Sequence, residues 1–126
     1  MRGGLLLDTH AILWYLDDDA RMSEDVYAQI DDGDRRVVAS AVSFWEIAIK
    51  SGLGKLRAEA DLPERLRLAG IEQLAVTPEH AWAVRDLPHH HRDPFDRLLV
   101  AQAQRERLSL VTRDPAFAAY DVDVVW

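Results

Sequence analysis

Leu5, Leu6 and Leu7 form an unbroken apolar run that stops at Asp8, the pattern of a short strand buried on both faces. Directly after it Ile12, Leu13 and Leu16 return at helical spacing, so residues 9–16 are expected to form a helix that closes in the solvated turn Asp17-Asp18-Asp19. The alternation then repeats. Ser23 is the expected cap of a second helix containing Val26 and Ile30 and running to about residue 29, and after the DDGDRR turn residues 37–40 read as a strand. In AVSFWEIAIKSGLGKL, Ser43 is the expected cap, Glu46 the third helical position, and Gly52 with Gly54 the end. A further amphipathic helix is expected over 60–69 and a strand over 72–76. Thr77-Pro78 opens a helix over 79–85, which Leu87 and Pro88 break. The longest helix spans 94–107, followed by a strand at 109–112, a short helix at 115–119 and a last strand at 122–126. Strands alternating with helices imply parallel βαβ units, hence a three-layer α/β domain over 1–126 with a central, mainly parallel sheet.

Composition narrows the class. At 126 residues and 48% hydrophobic content, one core and no second domain are expected. The chain has no cysteine, which removes disulfides and thiolate metal sites. Its opening apolar run is interrupted by Asp8 and His10, too short and too polar for a membrane span or a secretory signal. A soluble cytoplasmic protein without membrane association is expected. The net charge of -7 argues against a general nucleic-acid coat, whose affinity comes from cations neutralising phosphates, but leaves a nucleic-acid enzyme open. Of 15 basic residues all but Lys50 and Lys55 are arginines, whose planar fork suits bidentate phosphate contacts.

The architecture directs attention to one rim, because open parallel sheets bind ligands outside the carboxyl ends of the strands, where chain order reverses. Asp8 and Asp114 each follow a strand, while Glu46 and Asp96 are expected in first helical turns that open toward the same rim. Four carboxylates then converge. Two of them about 4 Å apart repel by roughly 4 kcal/mol at an effective dielectric near 20, so the cluster asks for a cation. Oxygen-only ligands select Mg²⁺ or Mn²⁺. Such an ion lowers the pKa of a bound water and neutralises a scissile phosphate, and two ions about 3.5–4 Å apart clamp both oxygens of an in-line displacement; phosphodiester hydrolysis is the chemistry that fits.

Each acid also has a purely local reading. Asp93 and Asp114 precede prolines and suit helix caps. Asp96 suits the helix dipole, and Glu46 suits a capping box with Ser43. Asp8 has no comparable local job. His89-His90-His91 lacks a second ligand pair at zinc spacing and reads as a polar loop. Trp14, Trp45, Trp82 and Trp126 read as core or interface aromatics rather than base-stacking platforms.

The stretches LLLDTHAILWYL, SAVSFWEIAIKSGLGKL, HHHRDPFDRLLVAQAQ and LVTRDPAF, taken in that order, resemble the successive motifs of PIN-domain proteins of the VapC type, the toxin halves of toxin–antitoxin pairs. The resemblance runs from Leu5 to Trp126. It implies a PIN fold and a Mg²⁺- or Mn²⁺-dependent ribonuclease silenced by a cognate antitoxin, and it suggests a homodimer. Carried over by motif, the four acids are Asp8, Glu46, Asp96 and Asp114. Asp96 begins the pattern acid, two residues, aliphatic, any residue, alanine, which leaves Asp93 as an outer acid. Thr9 and Thr112 match small hydroxyl positions beside the acids and are expected to orient metal-bound water. Arg92, Arg97 and Arg113 lie next to acids in sequence and are candidates for phosphate contacts.

Two other enzyme classes fail on specific residues. A receiver domain wants an acidic pair after the first strand and a late lysine, but Asp8 stands alone and no lysine follows Lys55. A dehalogenase-type phosphatase wants an aspartate two after the first, where His10 stands. The remaining alternative is a non-catalytic module that holds a partner in the same pocket, and metal-dependent cleavage discriminates it.

Overall fold

The computed structural model describes residues 3–90 and 92–126. Strands β1 (Leu5–Leu7), β2 (Val37–Ser40), β3 (Glu72–Leu74), β4 (Ser109–Val111) and β5 (Val124–Val125) form one sheet in the order β3-β2-β1-β4-β5, with every neighbouring pair parallel. Parallel neighbours need crossovers, and helices supply them. Helices α1 (Thr9–Leu16) and α2 (Glu24–Ile30) link β1 to β2, α3 (Ala41–Gly52) and α4 (Leu62–Leu68) link β2 to β3, and α5 (Pro78–Ala83) and α6 (Pro94–Glu106) link β3 to β4. A 3-10 turn, Pro115–Ala119, leads into β5.

Successive strand side chains point to opposite faces, and the core divides accordingly. Leu5, Leu7, Val37, Ala39 and Val111 pack with Ile12, Val26 and Leu66 from α1, α2 and α4. Leu6, Val38 and Leu110 pack with Leu99, Val100 and Ala103 of α6 and with Phe117. Covered on both faces, the sheet makes the middle of three layers, which is why its strands read as apolar runs rather than alternating ones. Among the described residues, no helix is long and apolar enough to cross a membrane.

Several boundaries differ from expectation for local reasons. Helix α3 starts directly from β2, because Ser40 rather than Ser43 is its cap and accepts the Val42 N–H at 3.0 Å. Ser43 therefore lies inside the helix and is buried, the capping box with Glu46 does not form, and Glu46 sits in the second turn instead of the first. Helix α4 begins at Leu62, with Pro63 in its first turn. Helix α5 stops at Ala83 and tightens into a 3-10 turn, Val84–Asp86. Helix α6 agrees closely, opening on Asp93-Pro94 and ending where Arg107 adopts a left-handed φ of 55°. Strands β3 and β5 are shorter than the apolar pattern suggested, because their ladders end with the partner residues Ser40 and Val111.

Candidate active site

Strands β1 and β4 are neighbours, and the chain winds outward from them in opposite directions, so the order reversal lies between them. Asp8 stands at the carboxyl end of β1 and Asp114 three residues beyond the end of β4. The Asp8 carboxylate accepts the Ala11 N–H at 2.8 Å and so caps α1. This corrects the expectation that Asp8 has no local role. The strand hands over to the helix with no intervening loop, so the residue that ends one must cap the other. Thr112 ties the two acids together: its hydroxyl bonds the Asp8 carboxyl and accepts the Asp114 N–H at 3.1 Å. Asp114 in turn caps the 3-10 turn through Ala116 N–H at 2.9 Å.

From the other side α3 brings in Glu46, which is 5% exposed. Thr9 Oγ1 donates to Glu46 Oε1 at 2.5 Å, and Lys50 Nζ, one turn along α3, donates to Oε2 at 2.7 Å. Sequence reading did not single out Lys50, although its i,i+4 spacing from Glu46 is a recognisable signal. Asp93 caps α6 by accepting the N–H groups of Phe95 at 2.8 Å and Asp96 at 3.3 Å, which places Asp96 inside the rim.

Asp8, Glu46, Asp93, Asp96 and Asp114 line one cavity of about 220 Å³ with Thr9, His10, Lys50 and Phe117. Burial, then the charges of Asp93, Glu46, Asp114 and Asp8, push the Asp96 carboxyl up to about 7. Burial also raises Asp8, with Asp114 adding to the effect, against hydrogen bonds from Thr112 and Ala11 and the charge of His10. Lys50 is raised by its bond to Glu46, with Asp93 and Asp96 contributing. Two strongly perturbed carboxyls in one cleft at a topological switch point are the electrostatic mark of a functional site.

Among the described residues, no three acidic or histidine side chains converge closely enough to hold a metal ion directly. Donor chemistry and charge nevertheless fit a hard divalent cation: five carboxylates line the cavity beside His10 and Lys50, and their mutual repulsion is what a cation relieves.

The three candidate arginines separate. Arg97 is only 8% exposed and donates to the carbonyls of Pro88 and Val84, at 2.7 and 3.1 Å, and to Tyr120 Oη at 3.3 Å. It pins the segment before α6 and is withdrawn from the phosphate role, because a residue one after Asp96 on a helix turns about 100° away from the rim. Arg92 and Arg113 are exposed. Within the histidine triplet, His90 packs edge-on against Tyr120 at 5.5 Å, and His91 lies outside the described residues. None of the four tryptophans is buried: Trp14 is intermediate, while Trp45, Trp82 and Trp126 are exposed, so none belongs to the fully buried core.

The model of the PIN domain matches residues 5–123. The chain belongs to the PIN-domain family. Ribonuclease VapC22 of Mycobacterium tuberculosis is 32% identical to this PIN domain over 118 residues, 87% of this chain and 86% of that protein. Among solved structures, a chain of VapBC2 from Rickettsia felis bound to a DNA fragment from their promoter superposes with a TM-score of 0.72 at 14% identity, covering 96% of each chain. A chain of DNA-bound VapBC from Salmonella typhimurium gives 0.71 at 14% identity and 98% coverage of each. At such identity these two establish the fold, the α/β sheet described above.

Proposed function

We propose that this PIN domain is a metal-dependent endoribonuclease, the toxin of a toxin–antitoxin pair, which hydrolyses RNA phosphodiester bonds with an activated water. The observation that carries the reading is that Asp8, Glu46, Asp96 and Asp114 line one cavity, with the Asp96 carboxyl pushed up to about 7 by burial and then by the other acids. A relative named as a ribonuclease at 32% identity supports the reaction, and structures of VapBC complexes support an antitoxin partner. Mg²⁺ or Mn²⁺ bound by these oxygens would neutralise the scissile phosphate and acidify the attacking water. Asp8 and Asp96 are the principal ligands in this reading, with Glu46 and Asp114 supporting the same ion or a second one. Thr112 aligns Asp8 with Asp114, Thr9 and Lys50 aim Glu46, and Asp93 fixes the first turn that carries Asp96. Arg92 and Arg113 remain the candidate phosphate contacts. The exposed apolar stripe of Trp45 and Ile49 on α3, continued by Leu53 at its carboxyl end, supports a homodimer contact. The proposed location is the cytoplasm.

One observation favours the non-catalytic alternative: Lys50 already neutralises Glu46. Incubating total RNA with the purified protein, with Mn²⁺ or Mg²⁺ and with chelator, beside Asp8→Asn, separates the readings. Discrete fragments that need both the metal and Asp8 are expected. Intact RNA with confirmed metal binding and folding would transfer the assignment to a binding module.

A further inference from the structure

Beside the acid cavity lies a second hollow of about 350 Å³, and Asp8, His10 and Asp114 form part of the wall of both. Its other lining groups are Trp14, Arg113 and Pro115. Character changes across the shared wall, from acids on one side to flat rings and cations on the other. The His10 ring lies 5.5 Å from that of Trp14, and the guanidinium groups of Arg21 and Arg113 lie 4.7 and 5.9 Å from the indole. Trp126 supports the same indole edge-on at 5.6 Å, and the Trp14 carbonyl accepts the Tyr27 hydroxyl at 2.9 Å, so the platform is held from its own side of the molecule. His10 and Arg113 remain exposed.

In a chain of net charge -7, two guanidiniums gather on one aromatic group, and of these Arg21 is paired with Asp19 while Arg113 lines the hollow. Aromatic rings beside arginine are the composition of single-stranded nucleic-acid sites, where bases stack on any π-face and phosphates meet cations. Ligand pockets run from roughly 300 to 1,000 Å³, so this hollow accepts one nucleotide rather than a stretch of strand.

We infer that this hollow is a nucleotide subsite that receives the ribonucleotide adjoining the scissile bond, its base packed against His10 and Trp14 and its phosphate on Arg113. The inference rests on the ribonuclease reading and adds the path of the strand: across the acids and then over Trp14. The burial of Arg97 strengthens it, because a phosphate contact expected from the rim has to come from another residue, and Arg113 lines a hollow that opens on the acids.

Titration with the four ribonucleoside 5′-monophosphates, followed through the indole N–H signals in ¹⁵N NMR spectra without divalent metal, tests the hollow directly. The Trp14 signal, assigned with Trp14→Phe, is expected to shift saturably in the millimolar range, while that of Trp82 stays in place. In cleavage of an oligoribonucleotide, His10→Ala and Arg113→Gln are each expected to raise KM about tenfold, in the range of one lost base stack, and to change kcat less than threefold. Both positions are exposed, so folding is preserved, and Arg105→Gln at the far end of α6 serves as control with neither value changed. A Trp14 signal unmoved by all four nucleotides would overturn the subsite, as would an equal shift from inorganic phosphate alone, or loss of kcat at constant KM. Absence of any RNA cleavage by the wild type would count against the ribonuclease reading instead, and the nucleotide titration would still decide the hollow.

Discussion

Toward the carboxyl half of α6, Gln102 is fully buried with both ends of its amide engaged: Oε1 accepts the Ser40 hydroxyl at 2.5 Å, and Nε2 donates to the Ala75 carbonyl at 3.3 Å beside His80 Nδ1. His80 accepts the Thr77 N–H at 3.0 Å and reaches Glu106 at 3.4 Å. At the amino end of the same helix, Asp93 and Asp96 face Glu46, Asp8 and Asp114, and burial, followed by the charges of the other acids, lifts Asp96 to about 7. One cluster is a set of hydrogen bonds that closes on itself and joins β2, α5 and α6. The other is a set of like charges that Lys50 and helix-capping bonds relieve in part and an added cation would relieve further. Buried polarity that serves the fold is satisfied from within, whereas polarity that serves binding is left to be completed by what binds.

The largest effect is expected from breaking the acid end. Asp96→Asn should lower metal-dependent RNA cleavage on the order of 10³-fold by removing a ligand and charge that act in the transition state, with the melting temperature unchanged or higher. Asp93→Ala should instead cost about 1 kcal/mol of stability through the lost cap and keep most activity. Cleavage rates and melting curves of the two variants, taken together, check this; equal activity losses at unchanged melting temperatures would contradict the division of labour.

Gln102→Ala breaks the closed end. It leaves the Ser40 hydroxyl and the Ala75 carbonyl without their buried partner and opens a cavity, so urea unfolding should show a loss of about 2–3 kcal/mol while cleavage per folded molecule stays within roughly twofold. Acidity sharpens the contrast further. Because the folded protein holds Asp96 near 7 and the unfolded chain near 3.8, the native state keeps a proton that the unfolded chain has released between those values. Stability of the metal-free protein from this group therefore falls as pH rises across that window, and Asp96→Asn should flatten the slope. Metal must displace the same proton, so Mn²⁺ affinity measured by calorimetry should climb about tenfold per pH unit and level off above 7. The smallest effect belongs to Lys50→Met, which removes the half-exposed ammonium of an i,i+4 pair whose buried Glu46 end keeps its bond from Thr9. About 0.5 kcal/mol of stability should be lost, with Mn²⁺ binding a few-fold tighter once the competing ammonium is gone.

The candidate site was legible in the sequence where an acid sits at a junction between elements. Asp93-Pro94 and Asp114-Pro115 announced their caps locally, and both caps form. Asp8 was singled out correctly as a strand-end acid, but its capping bond went unseen, because nothing in the run Leu5-Leu6-Leu7 indicates that helix begins at the very next residue. Glu46 was found for the wrong local reason. Ser40 and Ser43 are equally good caps in isolation, and the choice fell to Ser40 because its hydroxyl also bonds Gln102, 62 positions away.

What the sequence alone determined was therefore whatever depends on neighbours in the chain: strands as apolar runs, helices as 3.6-residue stripes, their alternation and hence a parallel sheet, and acids placed where strands end. What only the tertiary structure decided was which side of each helix meets which partner. Arg97, adjacent in sequence to Asp96, turns inward to hold the preceding segment, while Lys50 turns into the acid cavity and Trp14 gathers two arginines over its ring. Side-chain direction on a helix changes by about 100° per residue, so adjacency along the chain says little about adjacency in space until the packing of α1, α3 and α6 on the sheet has set their rotation.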